Sequence, residues 1–204
     1  MRFPRATHRI MGFQDRDDAE LFLQQLKERL AKFGLEMHPE KTRLIEFGRF
    51  AISNRKKRGE GKPETFDFLG FTHICATAIK TKRFVVRRKT IAKRLRAKLK
   101  EVREEIIKRM HVPVPEQGPW LRTVINGHFN YYGVPGNGRS LNAFRTQVVR
   151  SWLWALRHRS HKARSLTWGR FKRLVATWIP TAKRRHPYPN ERLHVSTQGR
   201  SRMR

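Results

Sequence analysis

The chain has 204 residues, with 47 Lys and Arg against 16 Asp and Glu and a formal net charge of +31. That imbalance exceeds what solubility needs and predicts a polyanionic partner, with RNA, DNA and an anionic membrane surface all open on charge alone. A 38% hydrophobic content with five Trp allows a core in one domain or two small ones, which excludes a merely disordered basic tail. The single cysteine, Cys75, excludes an internal disulfide framework and any zinc site built on Cys pairs. That cysteine usage makes a reducing compartment such as the bacterial cytosol or nucleoid the expected location, and since no apolar run reaches membrane-spanning length no membrane partner is expected. The Arg-rich start has some likeness to a mitochondrial presequence, but acids from Asp15 onward interrupt it.

Asp17 with Glu20 three positions on has the form of a capping box. Ala19, Phe22, Leu23, Leu26, Leu30 and Phe33 then recur at helical spacing until Gly34 supplies a stop. After a turn at His38-Pro39-Glu40, residues 42–47 (Thr-Arg-Leu-Ile-Glu-Phe) read as a strand, and the basic, Gly-containing residues 54–63 read as a flexible loop. Residues 66–71 and 82–87 read as two further strands forming a hairpin. From Thr90 the period changes. Ile91, Leu95, Val102, Ile106 and Met110 share one helical face, and three more helical stretches follow. The first, started by Pro119, holds Trp120, Val124, His128 and Tyr132. The second holds Leu141, Phe144, Val148, Trp152 and Ala155, and the third Trp168, Phe171, Val175 and Trp178 before Pro180. Residues 132–138 must turn tightly. The sequence thus predicts an α+β chain: a helix on a small antiparallel sheet over 1–88, an α-helical bundle over 89–186, and a basic tail over 187–204.

Charge is uneven along this plan. Residues 1–60 carry 14 basic and 9 acidic side chains, whereas residues 117–204 carry 18 basic side chains and one acid, Glu191. The polyanion-binding surface is therefore expected mainly in the second half.

Three stretches together resemble one family. Residues 32–42 (Lys-Phe-Gly-Leu-Glu-Met-His-Pro-Glu-Lys-Thr) are similar to the reverse-transcriptase palm segment just after the catalytic strand pair. Residues 66–71 (Phe-Asp-Phe-Leu-Gly-Phe) resemble the primer-grip hairpin of the same enzymes. Residues 127–137 (Gly-His-Phe-Asn-Tyr-Tyr-Gly-Val-Pro-Gly-Asn) resemble the thumb helix and turn of group II intron reverse transcriptase/maturases, and the pattern from Trp152 to Pro189 continues it. The resemblance covers residues 10 to 190 and implies a palm remnant followed by a thumb/maturase domain. In that family the domain grips structured intron RNA and stabilises its active fold, the RNA itself performing the splicing chemistry.

The departures bear on activity. Family members carry Tyr-Ala-Asp-Asp immediately before the segment resembling Ile10-Met11-Gly12-Phe13, where this chain has Phe3-Pro4-Arg5-Ala6-Thr7-His8-Arg9. Fingers and most of the palm would lie upstream of Met1, and the Cys-dependent endonuclease domain of some relatives has no counterpart. Nucleotide addition needs carboxylates holding two divalent ions, so no catalytic residue, no metal site and no cofactor is expected for this chain, although full-length relatives use Mg2+. Asp15, Asp17, Asp18 and Glu20 read instead as charges at a helix start. His158 and His161 lack the Cys or carboxylate company a metal needs.

The resemblance places Lys41 where the family's palm lysine approaches nucleotide phosphates, but without a nucleotide site the favoured reading is a plain surface lysine. Phe68, Leu69 and Gly70 take the primer-grip place, with core packing as their other reading. At helical spacing His128 and Tyr132 face the core, leaving Asn130 and Tyr131 outward to meet unpaired bases. Arg139, Arg157, Arg159, Arg170, Lys172, Arg173, Lys183, Arg184 and Arg185 are the expected phosphate contacts. The five Trp read as core and inter-helix contacts. Two other readings stay open. One is the C-terminal half of a split RNA-directed DNA polymerase that docks with a separately encoded fingers-palm polypeptide. The other is a functionless remnant of a truncated intron gene.

Overall fold

A computed structural model describes residues 10–39, 42–79 and 81–188. Its helices and three-stranded antiparallel sheet make a mixed α+β structure in two compact units, Met1–Glu64 and Thr65–Arg204. The break lies between Glu64 and Thr65 rather than near residue 88, so the sheet belongs with the helical bundle. The tail expected from residue 187 lies outside the described residues from 189 onward.

In the first unit, α1 (Arg16–Ala31) follows Asp15 as its N-cap residue, with no side-chain cap hydrogen bond, and Asp17 and Asp18 lie in the first turn. The capping box expected at Asp17 and Glu20 does not form. Glu20 instead pairs with Arg16 at 2.7 Å, one helical turn away. The predicted stop holds: Gly34 has φ +65°, and Leu35 N–H donates to Leu30 O at 3.0 Å, which closes the helix through a left-handed glycine. Residues 42–47 do not form a strand, because among the described residues no other segment pairs with them. The basic segment expected as a loop begins as a helix, α2 (Ala51–Lys57). Two arginines here are answered locally: Arg55 lies 3.4 Å from Glu60, and Arg58, just past the helix, bridges Glu60 at 2.7 Å and also binds Glu46.

In the second unit the sheet runs β1 (Phe66–Phe68), β2 (Phe71–Thr77), β3 (Phe84–Thr90) in that spatial order. The stretch expected as one strand over 66–71 is a strand plus a two-residue turn. Phe68 pairs with Phe71, and Leu69 (φ +46°) and Gly70 (φ +83°) form the turn between them. Two successive positive φ values match the twist of the flanking strands, which is why two-residue hairpins favour them.

Four helices complete the unit: α3 (Ala92–Lys108), α4 (Val114–Tyr132), α5 (Gly138–His158) and α6 (Trp168–Trp178), with a 3-10 turn over Lys162–Ser165. Helix α4 starts five residues before Pro119, with Pro115 in its first turn and Pro119 inside it. A second proline so near a helix start removes one hydrogen bond without ending the helix. The core is aromatic and aliphatic. Trp152, Phe129, Phe144, Phe171, Leu121, Ile125, Leu141 and Val148 are all fully buried, and each contributes about 1.5–3 kcal/mol of burial. Trp120 and Trp178 pack at the edge of this cluster. Trp154 and Trp168, expected as core or inter-helix contacts, are 41% and 48% exposed. Gly118 lets α6 approach α4: a Cβ there would stand 2.3 Å from the Trp178 ring.

Two buried amides fix this frame. Gln117 donates to the carbonyls of Arg109, Met110 and Val112, and its Oε1 accepts from the Trp152 indole at 2.8 Å. Asn137 accepts from Thr90 N–H at 3.0 Å and donates to Thr90 Oγ1 at 2.8 Å and to Tyr132 O at 2.9 Å. The end of β3 is thereby tied to the turn between α4 and α5, with each polar atom partnered as burial requires.

Candidate nucleic-acid interface

The hairpin turn and the end of α4 form one platform. Tyr131 donates its hydroxyl to Leu69 O at 2.8 Å and stacks its ring on Phe71 at 6.0 Å and 10°. Tyr132 meets the same Phe71 edge-on at 5.3 Å. Gly70 is buried here, and a Cβ would lie 3.1 Å from the Tyr132 hydroxyl oxygen and 3.5 Å from Arg94 Nη1. Close approach and a positive φ both call for glycine at this point. Phe68 is half-buried, while Leu69 at the tip is 64% exposed and Tyr131 is 51% exposed. The expected division on α4 holds in position: His128 and Tyr132 point inward, and Asn130 and Tyr131 outward. The structure thus joins two groups of residues that the sequence treated separately, Phe68-Leu69-Gly70 and Asn130-Tyr131. It adds Arg94 beside them, which the sequence reading passed over as one of many cations on a helix.

A second cluster forms where the chain returns after α6. Arg185 N–H and His186 N–H both donate to Gly133 O, at 2.8 and 3.1 Å. Arg185 Nη2 donates to Asn126 Oδ1 at 3.0 Å, and His186 Nε2 lies 2.5 Å from the main-chain oxygen of Asn130. A Cβ at Gly133 would stand 2.3 Å from Phe129 O and 2.9 Å from Arg185 Cγ, so glycine is what admits the returning strand. Lys183 and Arg184 are exposed and line a cleft with Val134, Pro135, Gly136 and Gly138. Arg184 also lies 4.5 Å over the Tyr188 ring. Arg139 is exposed in the first turn of α5.

No family model, curated protein or solved structure matches this chain.

The remaining sequence-predicted cations divide by environment. Arg170, Lys172 and Arg173 are exposed on α6. Arg159 is half-buried, and so is Arg157, whose Nε and Nη2 both donate to Leu166 O at 3.2 and 3.0 Å, holding the loop before α6. Lys41 lies outside the described residues.

From Gln117 to Tyr188 there is no Asp or Glu. Arginines in this span turn to neutral partners: Arg122 to Thr177 O, Arg145 to Pro180 O, Arg157 to Leu166 O. These contacts satisfy donors and leave the positive charge uncompensated. Exposed Trp154 adds another aromatic and cationic patch, with His158 stacked on it at 4.3 Å and Arg103 over it at 5.7 Å. Among the described residues, no three His, Cys, Asp or Glu side chains gather as a metal set, and no helix is long and apolar enough to cross a membrane.

Two imidazoles have their pKa lowered by their surroundings. Burial lowers the pKa of His73, and it lowers that of His128 to about 4, with nearby Lys98 acting in the same direction.

Proposed function

We propose that this chain binds structured RNA through its helical unit, as the thumb/maturase part of a group II intron reverse transcriptase. Its role is then to hold the folded intron RNA during splicing, in the cytosol, without catalytic residues or cofactors of its own. The observation that carries the proposal is the uncompensated charge between Gln117 and Tyr188, next to a rigid aromatic platform. In the first unit Arg55 and Arg58 have carboxylates within reach, whereas the second half of the chain must find its counter-charge in a partner. Exposed Arg139, Arg170, Lys172, Arg173, Lys183 and Arg184 suit phosphates, and Tyr131 with Asn130 suits unpaired bases.

The deciding experiment is equilibrium binding to a folded intron RNA over a range of salt. Log affinity should fall against log salt with a slope on the order of −4 to −8, as several counterions are released. A flat response would overturn the proposal. With primer, template, nucleotides and Mg2+, the purified chain should extend nothing. Extension that persists after contaminating polymerases are removed would make it an enzyme.

A second reading is favoured by the first unit, where α1 buries only Ala19 and leaves Leu21 56% exposed, and Phe33 just past its end is 71% exposed. Uncovered apolar surface of that kind is suited to a separately encoded fingers-palm polypeptide, completing a split polymerase. Primer extension that appears only when such a polypeptide is added would establish this reading.

A further inference from the structure

Beside the Tyr131 platform lies an open cleft of about 380 Å³, lined by Lys98 of α3 and by Thr123, Gly127, His128, Tyr131 and Tyr132 of α4. His128 is only 6% exposed, and its Nε2 is buried without a hydrogen-bond partner. Unpaired buried nitrogens are uncommon in folded proteins, and this one belongs to a residue that lines the cleft. The ring cannot turn away easily, since it stacks on Phe144 at 3.7 Å and 13° and packs against Tyr132 at 4.6 Å.

The other walls restrict the shape and chemistry of an occupant. Tyr131 is pinned by its hydrogen bond to Leu69 O and by Phe71 against its ring, so its exposed surface is a fixed stacking surface. Gly127 contributes no side chain, and nothing lies within 4 Å of where its Cβ would be. Lys98 brings an ammonium group, held by Glu101 at 2.6 Å. A flat aromatic ring with a polar edge, attached to an anion, fits all of these features together.

We propose that the cleft receives one unpaired nucleobase of an RNA ligand, stacked against Tyr131, with its polar edge at His128 Nε2 and its phosphate near Lys98. This rests on the RNA-binding reading and assigns a ligand role to His128 and Lys98, which the sequence places in the core and among the general surface charge. A base inside a duplex is stacked and paired, and cannot enter. The site therefore selects loops, bulges and ends.

The test uses the full chain and short RNAs, one a hairpin carrying 2-aminopurine at an unpaired loop position and one a fully paired duplex. Binding of the hairpin should quench the 2-aminopurine fluorescence. His128→Phe, which keeps an aromatic ring on Phe144 and removes the nitrogen, should lower hairpin affinity about tenfold and leave duplex affinity within about twofold. Unchanged quenching and unchanged hairpin affinity in this variant would overturn the cleft assignment while leaving RNA binding intact. No affinity for either RNA at low salt would overturn both. If His128→Phe does not fold, Lys98→Gln takes its place with the same two expected outcomes. The His128 ring resonances provide a second readout: they should shift on adding the RNA hairpin. A shift with adenosine monophosphate but none with the hairpin would make a free nucleotide the occupant and overturn the proposal.

Discussion

At Gly118 two opposed effects of one methyl group can be weighed. Gly118→Ala in a helix ordinarily stabilises by about 0.5–1 kcal/mol, because glycine loses more backbone freedom on folding. Here the added Cβ would stand 2.3 Å from the Trp178 ring, and overpacking of this kind costs about 1–3 kcal/mol. A net loss of roughly 1–2 kcal/mol is expected in urea denaturation, and a stabilised variant would show that α6 can shift away. His128 gives a residue-scale pH dependence. Its folded pKa of about 4 lies below the unfolded value near 6.5, so between these values the unfolded chain binds the extra proton and the folded chain does not. Stability from this group is fully present above the unfolded pKa, declines as pH falls toward 4, and levels off below. The difference in stability between the natural chain and His128→Phe should change with pH over that window, and a constant difference would contradict a buried neutral imidazole. The sequence showed that His128 faces inward, from its spacing with Tyr132. It could not show that the ring also borders a cleft, which depends on Lys98 arriving from α3, nor that Asn137 is a buried tie to Thr90 across 47 residues.

At the scale of elements, the helical period was legible wherever large apolar residues recur on one face, as in α3, α5 and α6. Residues 42–47 read as a strand from their β-branched and apolar content yet have no strand partner among the described residues, and a strand exists only as one side of a pair. Of residues 54–63, expected as a loop, only 54–57 belong to α2, a segment whose helix propensity its charge hides and in which Arg55 finds Glu60. Similar context separates the predicted RNA contacts. Replacing Arg170, Lys172 and Arg173 of α6 together by Ala removes three exposed charges. Affinity should then fall for all RNAs alike, with a salt slope shallower by about 2–3. Arg157→Ala removes two hydrogen bonds to Leu166 O and should lower stability by about 1–2 kcal/mol, changing the slope by about one at most. If the α6 variant keeps its salt slope, that helix does not touch phosphate.

For the whole molecule, the two units differ in how well their apolar surface is covered. Helix α1 carries Phe22, Leu23, Leu26 and Leu30 half-buried, Phe33 just past its end is exposed, and among the described residues of the first unit only Ala19 and Ala51 are buried. At about 1.5–3 kcal/mol for each large side chain fully buried, partial cover of five such residues forfeits several kcal/mol, a large share of a small domain's net stability. The second unit keeps a closed aromatic core, and its sheet is fastened to the bundle by Thr90 with Asn137 and by Leu69 with Tyr131. Limited proteolysis should therefore cut first between residues 59 and 65, past α2, and digest the first unit. The resistant fragment should begin near Thr65, because a cut at Thr90 would strip away the sheet strands and leave Asn137 and Tyr131 without their partners. That fragment should retain the salt-dependent RNA affinity of the full chain, since nearly all of the uncompensated charge lies within it. Equal resistance along the whole chain, or a fragment that folds but has lost RNA affinity, would place the binding surface or the stabilising contacts in the first unit instead.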